Sequence, residues 1–264
     1  MKNLFVICMI TLVVLLLGSL VISCQQSELT PTVEEIIQAV KEATDEIDTY
    51  QYDIDLVMIG TDGEYKNTFE LKVSSNRDNK NRKMYMKLES YAEEESFNSS
   101  SEYVIEVYVA DDWRYYMSSF DDTWNKIELS ERYWEEWGIM KRQLLLLTVL
   151  PSVVRGDNDT IDGVECYKLQ LKPDLDTLWE CIQKEDMIFF DQFLEGLDYS
   201  QNIVDEYTIS LWVTKDTNYL VKTTEDYILT DNVNTVTYNE TVLINHINEP
   251  VSIELPSDIE EIGK

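Results

Sequence analysis

The chain has 264 residues and a formal net charge of −30 at pH 7, because 51 acidic residues outnumber 21 basic ones. A negative field of this size repels the phosphates of nucleic acids and the headgroups of anionic lipids, so nucleic-acid binding is excluded as a function. The charges are spread along the whole chain, as on a solvated surface, and the length suits one or two domains.

The chain begins with an apolar run from Leu4 to Ser23 that carries no charged residue. A run of this length can cross a bilayer as an uncleaved anchor. It ends in Val21-Ile22-Ser23-Cys24, which resembles the bacterial lipobox, where the cysteine takes a diacylglycerol and becomes the N-terminus after cleavage. On this resemblance, residues 1–23 are a lipoprotein signal peptide and Cys24 is the lipidation site. Residues 24–30 are then a polar tether to the extracytoplasmic face of the cell membrane.

An amphipathic helix is predicted next, because Thr32-Val33-Glu34-Glu35 has the form of a capping box and apolar residues follow at helical spacing. From Tyr50 the apolar period changes to two, which predicts an antiparallel meander with one face on a core and one in water. The predicted strands cover residues 50–59, 65–73, 84–88, 102–110, 113–118 and 123–129. The polar stretch Glu93–Ser101 is predicted to be a loop.

A helical insertion is predicted after the meander. Ser130 can begin a helix that carries Tyr133, Trp134 and Trp137. The run Leu144–Leu150 is too short to span a membrane, so it predicts either a buried helix or an apolar lid. The two tryptophans suit either position.

The remainder of the chain returns to strands. Asp162-Gly163 predicts a hairpin turn into a strand over 165–171. Pro173 opens a second helical stretch, which carries Trp179 and Phe193. Three strands at about 203–214, 218–229 and 232–247 follow. No proline- or glycine-rich boundary interrupts residues 31–264, which are therefore predicted to form a single domain. A sheet of this many strands coils and leaves a concave face for the helices to cover.

Candidate chemical groups are few. Cys166 and Cys181 predict either a disulfide or two buried thiols. The disulfide would close a loop and stabilise the folded state by about 3 kcal/mol. His246 is the only histidine, so no two-histidine metal motif exists and no catalytic triad is assigned. Asp157–Gly163 lacks the spacing of a calcium loop and is predicted to be a polar turn. The sequence therefore predicts no metal site, no cofactor and no enzyme activity.

Several stretches together carry a family resemblance. They are Asp48–Tyr52 after the opening helix, Val107–Trp113 with Trp124–Ile127, Ile161–Leu169, and Leu211–Val213 with Leu220–Lys222 and the ending Asn248–Pro256. In these stretches the chain resembles the LolA-like lipoprotein-carrier superfamily, especially its LppX/LprG-type lipoproteins. The resemblance implies an α+β, mainly antiparallel β fold: a strongly curved, unclosed half-barrel sheet with helices covering its concave face. It also implies an apolar cavity between sheet and helices that takes the acyl chains of lipids, glycolipids or lipoproteins.

One feature departs from that family. Its soluble carriers hold their lid with a basic residue on an early strand, whereas the strand Tyr50–Ile59 contains no arginine or lysine. Handover of lipoproteins in that manner is therefore not expected here.

The functional hypothesis is a membrane-anchored lipoprotein that binds a lipid or acyl-chain ligand and is held to the membrane through Cys24. The alternative is an envelope sensor or scaffold that binds another protein and holds no lipid. A hydrolase would need a cleft with perturbed carboxylates, and 51 acidic residues make any single pair uninformative. The residues predicted to line the cavity are Tyr50, Tyr52, Ile54, Leu56, Met58, Phe69, Leu71, Met84, Met86, Leu88, Trp134, Trp137, Trp179 and Phe193.

Overall fold

The structure is a computed structural model that describes residues 30–62, 65–130, 133–136, 138–149, 152–172, 203–230 and 234–262. All of the elements below belong to one compact unit that begins at Val33. The described helices are α1 (Val33–Asp45), α2 (Tyr133–Glu136), α3 (Ile139–Val149) and α4 (Ser257–Ile262), with a short 3-10 turn at Glu95–Phe97.

Within the described residues, twelve strands make up the sheet. They are β1 (Thr49–Asp62), β2 (Tyr65–Asp78), β3 (Lys83–Glu94), β4 (Ser99–Ala110), β5 (Trp113–Ser118), β6 (Asn125–Glu128), β7 (Ser152–Arg155), β8 (Asp159–Ile161), β9 (Val164–Lys172), β10 (Ile203–Thr214), β11 (Leu220–Thr230) and β12 (Asn234–Asn245).

The strands form one curved antiparallel sheet in the order β6-β5-β4-β3-β2-β1-β12-β11-β10-β9-β7, with β8 paired to β9. Its two edges, β6 and β7, are not paired with each other, so the sheet is unclosed. The first and last of the described strands, β1 and β12, pair at its centre and join the two meanders. The predicted α+β, mainly antiparallel half-barrel is confirmed.

Side chains alternate between the two faces of the sheet, as the period of two predicts. Tyr52, Leu56 and Met58 of β1 are buried, whereas Asp53 and Asp55, which alternate with this phase, are exposed. We call the face that carries Leu56 and Met58 the concave face. Residues directly opposite one another on neighbouring strands point to the same face of the sheet. We call such a row of facing residues, running across the strands, a rung.

Two buried clusters divide the concave face. The first covers β1–β4 and β12 and includes Tyr133 of α2 and Met140 of α3. The second covers β9 and β10 and includes Ile36 and Val40 of α1 together with Leu146 and Leu147 of α3. Helix α3 therefore packs against both clusters.

The observed elements differ from the sequence-based ones in three places. The predicted loop Glu93–Ser101 is wrong for most of its length, because β3 runs to Glu94 and β4 begins at Ser99. The short edge strand β7 and helix α4 were not predicted. Helix α4 lies on the convex side, where Ile259 packs with Tyr115 and Trp124, and the Trp124 indole donates to Asp258 over 3.1 Å. The predicted helical stretch from Pro173 lies outside the described residues.

Candidate ligand-binding site

A cavity of about 550 Å³ lies at the end of the concave face where the β1–β2 and β3–β4 hairpins turn. Its lining residues are Met58, Gly60, Asn67, Thr68, Phe69, Ala92, Glu93, Glu94, Ser99, Ser100, Ser101 and Val236. Ligand pockets for small molecules range from about 300 to 1,000 Å³, so the space suits one ligand of moderate size.

Strand register divides this cavity into an outer and an inner rung. Across the outer rung, Gly60 lies opposite Asn67, Asn67 opposite Glu94 and Glu94 opposite Ser99. This outer rung is next to the hairpin turns. The side chains of Asn67, Glu94 and Ser99 are polar, whereas Val236, which lies opposite Gly60 in the same rung, is apolar. The mouth of the cavity is therefore polar along β2, β3 and β4.

The inner rung lies one step deeper on the same face. Its residues are Tyr238, Met58, Phe69, Ala92 and Ser101, each opposite the next. Met58 and Tyr238 are buried, and Phe69 packs against the first cluster. Apart from Ser101 at its β4 end, the floor of the cavity is thus apolar, and it is continuous with the protein core.

Most of the predicted cavity residues lie beyond this floor and pack on one another. Two of them, Met58 and Phe69, line the described cavity. The other described members belong to the first cluster or pack against it: Tyr50, Tyr52, Ile54, Leu56, Leu71, Met84, Met86, Leu88 and Trp134. Trp137, Trp179 and Phe193 lie outside the described residues.

The opposite end of the first cluster is closed by a buried arginine. Arg77 of β2 is 2% exposed, lies opposite Tyr50 and donates from Nε to Asn79 over 2.7 Å. Its guanidinium carbon is 4.9 Å from the ring centre of Trp134 on α2, a cation–π distance. Sequence reasoning considered only the first strand for a basic residue under the helices. The residue that fills that place is on the second.

The chain between α2 and α3 passes close above this arginine. A β-carbon at Gly138 would lie 3.1 Å from Nη1 of Arg77 and 3.2 Å from Oη of Tyr50, so glycine gives the close approach. Burial raises the pKa of Tyr50 to about 12, although the Arg77 charge lowers it. Burial likewise raises the pKa of Tyr133 to about 12. Both phenols stay protonated at neutral pH.

A second polar cluster lies under α3 on the other half of the concave face. Arg142 contacts Glu225 of β11 over 3.2 Å and Glu240 of β12 over 3.1 Å. The two glutamates are directly opposite each other and are 7% and 3% exposed at their side chains. One guanidinium thus bridges two buried carboxylates and ties the helix to the centre of the sheet.

Three tyrosines extend this cluster along the inner rung. Tyr227 stacks on Tyr238 at 4.2 Å and on Tyr207 at 5.4 Å between ring centres. The Tyr238 hydroxyl donates to Glu240 over 2.6 Å, and the Tyr207 hydroxyl donates to Glu225 over 3.4 Å. Burial, reinforced by the glutamate charges, raises the pKa of both Tyr207 and Tyr238. These phenols therefore act as hydrogen-bond donors.

Sequence reasoning missed this cluster, although a signal for it was present. Glu225 and Glu240 occupy concave positions in their strands, because Glu240 alternates in phase with Tyr238 and Val242. A charged residue in the buried phase of a strand needs a partner. The partner, Arg142, could not be named because it comes from a helix elsewhere in the chain.

The remaining predicted residues lie apart from the cavity. Cys166 is a buried thiol whose Sγ is 3.5 Å from the Val164 carbonyl oxygen, and burial raises its pKa. Cys181 lies outside the described residues, so the disulfide stays a prediction. His246 is exposed and its Nδ1 is 2.7 Å from Glu249. Cys24 and the apolar run before it also lie outside the described residues. In the part of the chain that is described, no helix is long and apolar enough to cross a membrane.

No family model and no curated protein matches the chain. Among solved structures, lipoprotein LppX of Mycobacterium tuberculosis is similar at 12% identity and a TM-score of 0.42, covering 84% of this chain and 98% of that one. LprF of Mycobacterium bovis is similar at 15% identity and a TM-score of 0.47, covering 86% and 98%. A LolA superfamily protein of Nitrosomonas europaea is similar at 11% identity and a TM-score of 0.22, covering 87% and 97%. These neighbours are of the kinds that the sequence resemblance names, and the similarity concerns the fold alone.

Proposed function

We propose that this chain is an extracytoplasmic lipoprotein, anchored through Cys24, that binds a lipid or another ligand with an acyl chain and performs no catalysis. The observation that carries the proposal is the cavity at the hairpin end of the concave face, with its polar mouth and apolar floor. A ligand with a polar head and an apolar tail matches this gradient.

The chemistry of the floor favours a flexible chain as the ligand. Met58 and Phe69 present large apolar surfaces, and methionine adapts to irregular shapes because its side chain is unbranched. Burying an acyl chain there gains roughly 0.8 kcal/mol for each methylene group removed from water.

The rigid sheet supports the same function. The cavity lies on β1–β4, which are joined by continuous antiparallel pairing, so a ligand can enter or leave without breaking the sheet. The opposite end is filled by side chains and closed by Arg77 and Trp134. This arrangement supports exchange at the hairpin end.

A photoactivatable single-chain lipid analogue, added to membranes that contain the full-length protein, tests the proposal. We expect crosslinks to peptides from β1–β4, and a loss of about tenfold or more in labelling for Met58→Trp, which fills the floor. Val154→Trp is the matched control, because Val154 is 53% exposed on edge strand β7. Equal labelling of the two variants would contradict the proposal.

The proposed anchor has its own test. Replacing Cys24 by alanine should abolish metabolic incorporation of labelled fatty acid into the protein, while Cys166→Ala should leave incorporation unchanged because that thiol is buried. Persistent labelling of the Cys24→Ala variant would contradict lipidation at this position.

A second function, binding of another envelope protein, is favoured by a separate observation. Phe97 and Phe120 are 74% and 76% exposed. Their turns follow β3 and β5, which run in the same direction, so both lie at the same end of the sheet. Acidic residues lie close in the chain: Glu95 is two positions before Phe97, and Asp121 directly follows Phe120. If this surface serves a protein partner, serine at both phenylalanines abolishes a protein crosslink in cells and leaves lipid labelling intact.

A further inference from the structure

The polar residues that line the cavity are two acids, Glu93 and Glu94, together with residues whose amide or hydroxyl groups both donate and accept hydrogen bonds: Asn67, Thr68, Ser99, Ser100 and Ser101. Of the two acids, Glu94 lies between Asn67 and Ser99 in the outer rung, whereas Glu93 lies opposite Thr68 and Ser100, so strand alternation puts its side chain on the other face. No lysine or arginine is among the described residues that line the cavity. Lys66 is adjacent to Asn67 in β2, but strand alternation puts its side chain on the other face of the sheet.

One acceptor at the mouth lacks a donor. Oδ1 of Asn67 is buried and receives no hydrogen bond from any described residue. A buried acceptor that has lost its water and gained no donor is unfavourable. Once the half-buried Asn67 side chain turns its amide toward the cavity, a ligand headgroup that donates a hydrogen bond would satisfy this oxygen, whereas a carboxylate or phosphate headgroup offers only acceptors.

Depth and volume restrict the apolar part of the ligand. The polar rung and the apolar rung are adjacent, so a headgroup at Glu94 sends its tail directly over Met58 and Phe69. The cavity holds about 550 Å³, and the core beyond its floor is occupied by buried side chains such as Leu56 and Leu88. The space therefore suits one chain.

We propose that the cavity selects a single-chain lipid whose headgroup is cationic or an uncharged hydrogen-bond donor, and that it discriminates against anionic lipids. This inference rests on the proposed function and assigns its ligand class. Glu94 attracts a cation or accepts a hydrogen bond from a hydroxyl, and Asn67 accepts a second one. An anionic headgroup at the same position meets a like charge next to a low-dielectric floor, which costs affinity.

Three probes with the same alkyl tail test the selection: a primary alkylamine, a monoacylglycerol and a fatty acid. Their binding to the full-length protein, held in an amphipathic polymer without free detergent, is measured by equilibrium dialysis. We expect the amine and the monoacylglycerol to bind at least about tenfold more tightly than the fatty acid. Met58→Trp should weaken binding of all three, which separates cavity binding from partition into the polymer.

A charge variant then identifies the residue responsible. Glu94→Gln removes the negative charge and keeps the size of the side chain, so it should strengthen fatty-acid binding and weaken amine binding, each several-fold. Glu128→Gln is the control, because Glu128 is exposed on edge strand β6. The control should leave all three affinities unchanged.

The outcomes separate this inference from the proposed function. Equal affinities for the three probes, tightest binding of the fatty acid, or an unchanged preference in Glu94→Gln would overturn the selection and leave lipid binding intact. Failure of all three probes to bind the unmodified protein would overturn both.

Discussion

The helices that cover the concave face contact its two halves in different ways. On β1–β4 the cover is largely apolar, and the only described buried arginine beneath it, Arg77, lies at the closed end. On β10–β12 the cover is tied down by Arg142, which bridges two buried glutamates at the centre of the strands. The first half leaves a cavity at its open end, whereas the second carries a directed ionic contact.

This difference indicates a division of labour. Apolar contacts are non-directional and tolerate a change in what fills the space, which suits the half that receives a ligand. A bridged pair of buried carboxylates specifies one position of the helix, because any displacement leaves charge without its partner. Helix α3 packs on both buried clusters. The ionic contact in the second half therefore also fixes the position of α3 over the first half.

The largest expected effect comes from breaking the bridge. Arg142→Met leaves Glu225 and Glu240 facing each other without the guanidinium, and removing one partner of a buried ionic contact costs about 3–5 kcal/mol of unfolding free energy. Urea denaturation followed by tryptophan fluorescence measures the loss. Lys141→Met, at an exposed position of the same helix, is the matched control. Equal stability of the two variants would show that the bridge does not hold α3.

A variant that neutralises the whole cluster sharpens the same point. Adding Glu225→Gln and Glu240→Gln to Arg142→Met removes the two uncompensated charges, so part of the lost stability should return. No recovery would mean that Arg142 acts through packing and not through charge.

An intermediate effect is expected at alkaline pH in the first half. The pKa of Tyr50 is raised by burial from 10.0 to about 12, so the unfolded chain releases this proton before the folded one does. Stability from this group is therefore complete below pH 10 and is lost as the pH rises to about 12, by roughly 3 kcal/mol. Tyr50→Phe should flatten the decline in unfolding free energy across this window.

The control for this titration removes an exposed phenol. Tyr65 is 49% exposed at the start of β2. The free energy of unfolding of Tyr65→Phe should therefore decline with pH as that of the unmodified protein does. The explanation by burial of Tyr50 would be wrong if the two variants declined equally.

The smallest effect on the free energy of unfolding is expected where Gly138, between α2 and α3, lies next to Arg77. Gly138→Ala puts a β-carbon 3.1 Å from Nη1 of Arg77, and relieving such a contact typically costs about 1–3 kcal/mol. Gly156→Ala is the control, because its nearest neighbour would be 3.5 Å away, an ordinary contact. Denaturation of both variants measures the difference. A greater loss in Gly156→Ala would contradict the close approach above Arg77.

The sheet was predictable from the sequence because its signal is local. Tyr50, Tyr52, Leu56 and Met58 alternate with polar residues, and the buried phase of β1 follows that alternation. The turn at Asp162-Gly163 likewise joins β8 to β9 as predicted. Short elements were harder, because four residues of β7 are too few to establish a period.

The details of the cavity and the cluster were less predictable because they depend on contacts between distant residues. The sequence indicated a concave apolar face, but nothing local distinguishes Met58 and Phe69, which line the cavity, from Leu56 and Leu71, which lie one rung deeper in the core. Arg142 reaches β11 and β12 from a helix about 80 and 100 residues earlier in the chain. Only the assembled sheet shows which carboxylates it meets.

The most direct test of lipid binding is to extract and identify the lipids that accompany the protein. The full-length chain is purified from membranes into an amphipathic polymer, and the organic extract is compared by mass spectrometry with that of Met58→Trp. We predict a single-chain lipid that is enriched with the unmodified protein and lost from the variant. Identical extracts from the two proteins would contradict the account that this cavity holds a lipid.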